Sequence, residues 1–214
     1  MAVSIFSTTV PAVSDFAQER NEDALLVERV QAGHIAAFDA LVHRYRHRLF
    51  SVVYNLTGNA EDTSDILQES FIKAFRAISR FQPNASFFTW LYRITLNTTT
   101  SFIRKRQLRR FFSFNQEDDS ENASDENWAI ASEKSADELA LMSELQIQLN
   151  QALQGLPVKH RTAIVLFEIE GLSHAEIAQI MDCNEGTVRS RVHYAKEMLR
   201  TALKGYVKDG KTLN

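Results

Sequence analysis

Apolar residues recur at every third or fourth position along most of this chain, the spacing that gives an α-helix one buried stripe. Residues 1 to about 20 carry no such period and read as a mobile tail. Asn21, followed by Glu22 and Asp23, is placed to cap a helix and match its dipole, and Leu25, Leu26 and Val30 follow it up to Gly33. From Ile35 a longer helix sets Phe38, Leu41, Val42, Tyr45, Leu49, Val52 and Leu56 on one face, with Gly58 suited to end it. A third helix, about Asn59 to Arg80, carries Leu67, Phe71, Ala74, Phe75 and Ile78. After the turn at 81–86, a fourth places Phe87, Leu91, Ile94 and Phe102 on one side and ends in the run Arg104 to Arg110.

The pattern then breaks. From Glu117 to about Ala136, in runs such as EDDSENASDE, apolar periodicity is lost, as in a flexible acidic linker. It resumes with Met142, Leu145, Leu149 and Leu153, closed by Gly155, and Pro157 suits the first turn of the next helix. Ile164 to Ile169 is β-branched enough to pass for a strand, but its helical neighbours and its length between Pro157 and Gly171 favour a helix. The last stretch, Gly171 to Arg200, holds two helix starts. Ser173 and Glu176 have the spacing of a capping box, and Leu172 and Ile177 that of a hydrophobic staple. Asn184 is the expected cap of the second helix, on which Val188, Val192, Ala195 and Leu199 face inward and Arg189, Ser190, His193, Glu197 and Arg200 face outward.

The chain is thus expected to be all-α, with two small helical domains at 22–110 and 139–207, a tail at 1–21 and a linker at 111–138. Its 214 residues allow each domain a modest core. One cysteine excludes an internal disulfide framework and suits a reducing compartment. The N-terminal sequence lacks the basic start and long apolar run of a secretion signal, and a cytoplasmic protein is expected. A formal net charge of −3 conceals segregation. Residues 85–110 hold six basic side chains and no acidic ones, whereas residues 117–138 hold nine acidic side chains and one lysine, so the segments face different partners.

Three sets of residues carry candidate chemistry. Two helices joined by a tight turn can insert the second into the major groove, where base edges distinguish all four pairs, and Gly186 would let the backbone approach a phosphate. A plain helical hairpin on a core is the alternative. Asp62, Asp65 and Glu69 recur at i, i+3 and i+7, where like charges repel unless something basic faces them; a solvated acidic face is the alternative there. Rings beside arginine in Phe87 to Ile94 suit stacking on unpaired bases, but most of these rings fall on the core stripe, leaving Trp90 and Tyr92 ambiguous. His43 and His47 lie one helical turn apart with no third ligand placed beside them, so no metal and no cofactor are expected. Cys183 reads as an inert buried thiol rather than a redox sensor.

In order and spacing, Asp62-x-x-Asp65-x-x-Gln68-Glu69-x-Phe71, Phe88 to Ile94 with Asn97, the acidic linker, and Gly171-Leu172-Ser173-x-x-Glu176 with Gly186 to Arg191 resemble a bacterial sigma factor of the extracytoplasmic-function group of the sigma-70 family. The resemblance spans about residues 22 to 205. It implies a region 2 domain and a helix-turn-helix region 4 domain, in a subunit that binds core RNA polymerase and helps open promoter DNA. It implies polymerase contact through Asp62, Asp65, Gln68 and Glu69, and minus-10 contact through Asn84, Trp90, Tyr92, Arg93 and Asn97. It implies minus-35 contact through Gly186, Thr187, Arg189, Ser190, His193, Lys196 and Arg200. Arg191 lies off the centre of the outer face and is expected to pair with Glu176 instead. The linker would thread the polymerase's RNA path, and an anti-sigma factor, often membrane-anchored, would hold the protein inactive. Two positions depart from the family pattern. Gln82-Pro83-Asn84 replaces the acidic or glycine residue common before the Thr-Trp pair, and His193 stands where relatives often carry a bulky or basic residue.

Two rival classes remain open to the residues alone. A one-component regulator would share the C-terminal motif but needs a sensor pocket. An enzyme needs a nucleophile-base pair, a phosphate-cradling glycine loop or a metal cluster, and no such motif or small-molecule site is legible. Co-purification with RNA polymerase separates the first rival from a sigma factor.

Overall fold

The computed structural model describes residues 13–82, 86–113 and 146–204, and every regular element among them is helical. The first module is built from α1 (Val13–Gln31), α2 (Ala36–Thr57), α3 (Ala60–Ala77) with a one-turn 3₁₀ extension (Ile78–Arg80), and α4 (Phe87–Ser113). The second comprises α5 (146–154), α6 (Val158–Glu168), α7 (His174–Met181) and α8 (Glu185–Ala202). Residues 1–12, Asn84, the acidic run of the linker, Met142 and Leu145 lie outside the described residues.

α2 is the axis of the first module. Its stripe of Phe38, Leu41, Tyr45, Leu49, Val52 and Leu56 is buried, and α1, α3 and α4 pack around it. Gly58 ends it in the left-handed conformation at φ 71°, with its N–H donating to Tyr54 O at 2.7 Å. An L side chain is strained at that φ, so glycine terminates the helix where the pattern placed it. Asn59 then caps α3, its side chain accepting from the Asp62 N–H at 2.8 Å.

The first helix differs from expectation. It begins at Val13 and runs straight through Asn21, because residues 15–20 (DFAQER) favour helix and nothing in them breaks it. Asp23 is therefore no first-turn acid. It is 2% exposed in mid-helix, where it accepts from Arg44 Nη1 at 2.7 Å and from the Tyr45 hydroxyl, while Glu22 accepts from Arg44 Nη2 at 2.7 Å. This trio staples α1 to α2. Among the α1 side chains described, from Asn21 on, Val27 and Val30 are buried and Leu25 is exposed. Phe75 is also more exposed than its stripe suggests, meeting Phe38 edge-on at 5.1 Å at the rim of the core.

In the second module the run at Ile164 is helical, with Ile164, Val165 and Leu166 all buried in α6. Its β-branched residues follow from full burial on several faces, not from strand pairing. Pro157 stands one position earlier than expected, at the cap rather than in the first turn. The capping box of α7 is complete: Ser173 Oγ accepts from the Glu176 N–H at 3.3 Å, and Glu176 Oε2 accepts from the Ser173 N–H at 2.9 Å. Leu172 and Ile177, the staple, are both buried. Replacing Ser173 with Ala should cost about 1 kcal/mol, read as a lower urea midpoint at unchanged slope; no shift would mean that the box does not set the stability of this module.

Candidate nucleic-acid interface

The helix-turn-helix has its two helices joined through Asp182, which sits in the left-handed region at φ 51°. An aspartate tolerates that conformation better than most residues. Asn184 then caps α8, its Oδ1 accepting from the Thr187 N–H at 2.7 Å and from the Thr187 hydroxyl at 2.9 Å. Val188, Val192 and Ala195 are buried against α6 and α7. The opposite face, Gly186, Arg189, Ser190 and His193, is exposed, with Thr187 half-buried at its edge. Lys196 and Arg200 extend this face but are engaged within their own module. Lys196 Nζ lies 2.6 Å from Glu168 and 5.0 Å above the Phe167 ring, and Arg200 pairs with Glu197. Arg189 has no ion-pair partner among the described residues, which leaves its fork available for a base edge or phosphate.

Arg191 does not meet Glu176. The Glu176 carboxylate is occupied by Ser173, and Arg191 Nη1 instead lies 3.6 Å from Cys183 Sγ in the turn.

On α3, Asp65, Gln68 and Glu69 are exposed and Asp62 is half-buried. The repulsion expected along this strip is relieved from inside the module: Asp62 pairs with Arg106 of α4, and Glu69 with Lys73 one turn on, at 2.7 Å. Lys73 also donates to Thr98 Oγ1 at 3.2 Å, tying α3 to α4. Arg106 belongs to the basic run that ends α4, so part of that charge is used inside the module. Asp65 has no ion-pair partner among the described residues and projects the strip's unneutralised charge.

The α4 surface divides three ways. Arg93 and Asn97 are exposed. Trp90 is half-buried against Phe81 and Phe87, with ring centroids at 5.1 and 5.6 Å, so it stands at the rim of the core. Gln31 of α1 ties down the chain just before α4, its Nε2 donating to Ile78 O at 2.8 Å and Phe81 O at 3.0 Å. Tyr92 is fully buried, stacked near Phe88 at 4.2 Å, and its hydroxyl donates to Glu170 of the second module at 2.7 Å. Burial and then the Glu170 carboxylate raise the Tyr92 phenol well above its ordinary value, against the opposing pull of Arg48. The side chains that join the modules, Arg48, Arg161 and Glu170, were missed by the pattern reading. A single charged residue at the edge of an apolar stripe carries no periodic signal.

Among the described residues no group of three His, Cys, Asp or Glu could hold a metal, and no helix is long and apolar enough to cross a membrane. The arrangement is that of a two-module helical DNA-binding protein with an acidic helix exposed on the other module. The sigma-70 region 2 family matches residues 41–109 and the sigma-70 region 4 family residues 146–199. The chain is 37% identical to the RNA polymerase sigma-H factor of Pseudomonas aeruginosa over 190 residues, covering 89% of this chain and 98% of that one. It is 40% identical to the ECF RNA polymerase sigma-E factor of Escherichia coli K12 over 181 residues, 85% and 94% of the two chains. The solved structure of CnrH in complex with the cytosolic domain of CnrY is 26% identical and superposes with a TM-score of 0.62 over 86% of this chain and 98% of that one. This chain belongs to the extracytoplasmic-function group of the sigma-70 family. It is a transcription initiation factor that gives core RNA polymerase its choice of promoter.

Proposed function

We propose that three surfaces divide this work. The exposed acidic strip of α3, Asp65, Gln68 and Glu69 with Asp62 at its edge, meets a basic surface of core polymerase. Trp90, Arg93 and Asn97, together with Tyr92 and with Asn84 in the turn outside the described residues, engage the melted minus-10 strand. An unstacked base there is drawn out at a cost of a few kcal/mol, lowest at weak steps. The α8 face of Gly186, Thr187, Arg189, Ser190, His193, Lys196 and Arg200 reads the minus-35 duplex. The observation that carries this reading is the two-sided α8. Its apolar side is sealed by Val188, Val192 and Ala195, and its polar side is presented to solvent with Arg189, which has no ion-pair partner among the described residues, near the N-terminal end.

The protein acts in the cytoplasm as a subunit, without catalysis of its own, and an anti-sigma factor holds it inactive. Support for such a partner is the similarity to CnrH, solved with the cytosolic domain of a second protein bound. Run-off transcription with purified core polymerase on a genomic fragment library tests the reading, and failure to start at any promoter would end it. Within that assay, Arg189→Ala should cost about 1–3 kcal/mol of discrimination at one base pair. Binding to unrelated duplex should persist. An equal loss on every sequence would make Arg189 a phosphate contact instead.

A further inference from the structure

Lys196 stands apart from the other cations on the outer face of α8. Arg189 has no ion-pair partner among the described residues, and Arg200 pairs with Glu197 on its own helix. Lys196 is instead held from a neighbouring helix. Its ammonium lies 2.6 Å from Glu168 Oε1 at the end of α6 and 5.0 Å from the centroid of the adjacent Phe167 ring. A lysine is a point charge on a flexible four-carbon stem. The carboxylate and, more weakly, the aromatic face restrict that stem to one direction.

The direction bears on DNA. Phe167 in turn meets His174, with ring centroids 4.8 Å apart, and His174 is the first residue of α7. Ammonium, phenyl ring and imidazole thus form a row from the middle of α8 to the start of the preceding helix. In a helix-turn-helix the second helix lies in the major groove and the first crosses the sugar-phosphate backbone. At about 3.6 residues per turn, Lys196 falls between the outward His193 and the buried Val192. Its charge is therefore held at the edge of the outer face, on the side where a duplex seated in the groove carries its backbone past α7.

We propose that Glu168 is a positioning residue for promoter discrimination, acting through Lys196: it fixes the lysine where only a duplex docked in register on α8 brings a phosphate to it, and withholds it from duplex held loosely. The inference rests on the minus-35 role proposed above for α8. In the complex docked in register, the phosphate comes to the lysine where it already stands. On an unrelated duplex, which settles in many positions, the lysine must first leave its carboxylate, and that cost offsets the contact. A phosphate contact carries no sequence information of its own. Held back until Arg189 and its neighbours have found their bases, it gains a share in the choice.

The test uses holoenzyme assembled from the full-length chain and core polymerase, on a promoter found by run-off transcription and on the same fragment with its minus-35 bases scrambled. Glu168→Gln removes the charge and keeps the shape. On the scrambled fragment it should tighten binding about fivefold, the upper worth of a half-exposed ion pair. The logarithmic fall of affinity with salt should steepen there by about 0.9, one added phosphate contact. On the promoter both quantities should stay as they are, so discrimination falls about fivefold. In a Lys196→Ala background Glu168→Gln should change nothing, whereas a carboxylate that only repels DNA, or only stabilises the module, would act there as before. Equal tightening on both fragments, tightening on neither, or an effect that persists without Lys196 overturns the proposal. If wild-type holoenzyme does not distinguish the two fragments, the minus-35 role of α8 fails, while a salt slope that Glu168→Gln steepens only when Lys196 is present still decides whether Glu168 restrains that lysine.

Discussion

The double reversal Asp65→Lys, Glu69→Lys is expected to abolish association with core polymerase while leaving the fold intact. Both side chains are exposed, and neither contributes to the apolar core. Asp65 has no internal ion-pair partner among the described residues, so its loss removes nothing from the module itself. Glu69 loses only its surface pair with Lys73, and exposed pairs of this kind are worth a few tenths of a kcal/mol. Set against a basic partner, two reversed charges exchange attraction for repulsion, and like-charge contacts at an interface cost several kcal/mol. At about 1.4 kcal/mol per tenfold, a loss of at least about 100-fold in affinity should follow. Co-elution with core polymerase on gel filtration reads the loss, and thermal unfolding of the variant reads the fold. Retained co-elution would place the polymerase surface elsewhere. Reversal at Asp62 is a different experiment, because that carboxylate joins α3 to Arg106, so a loss of binding there would mix two causes.

The largest stability effect is expected at Asp23. Removing one member of a buried charged pair typically costs about 3–5 kcal/mol, since the partner is left uncompensated. Asp23→Ala takes the acceptor from both Arg44 and the buried Tyr45 hydroxyl. Glu22 still holds the other arm of Arg44, which puts the expected cost near the lower end, about 3 kcal/mol. For a module of this size that corresponds to a fall of roughly 12–24 °C in melting temperature. Asp23→Asn keeps an acceptor and should recover part of it. Calorimetry resolves the first module's transition, and a drop below about 5 °C for Asp23→Ala would show that α1 is not held by this staple.

Local signals were read correctly wherever the deciding interaction lies within a few residues. The capping box at Ser173 and Glu176, the cap at Asn184 and the glycine stop at Gly58 all have partners three or four positions away, so spacing alone determines them. The start of α1 was misplaced for the complementary reason. Asn21 and the acids after it form a good cap sequence, but the residues before them are equally willing to be helical, and Asp23 is claimed by Arg44 and Tyr45, about twenty positions on. Arg191 shows the same limit at short range, because Glu176 had a nearer partner.

The all-helical character, the two modules, the outward face of α8 and the acidic strip of α3 each follow from period, cap and local charge. How those charges are used follows from the packing instead. It pairs Asp62 with Arg106 and draws Tyr92 out of solvent onto Glu170. It also sets the Arg161 guanidinium, its affinity for the proton lowered by burial, against four neutral oxygens: Leu56 O, Gln154 O, Gln154 Oε1 and Leu156 O. The Asp62–Arg106, Tyr92–Glu170 and Arg161–Leu56 contacts join residues 44, 78 and 105 positions apart. Each depends on which helix faces pack together, and a one-dimensional pattern specifies that a face is buried without specifying against what.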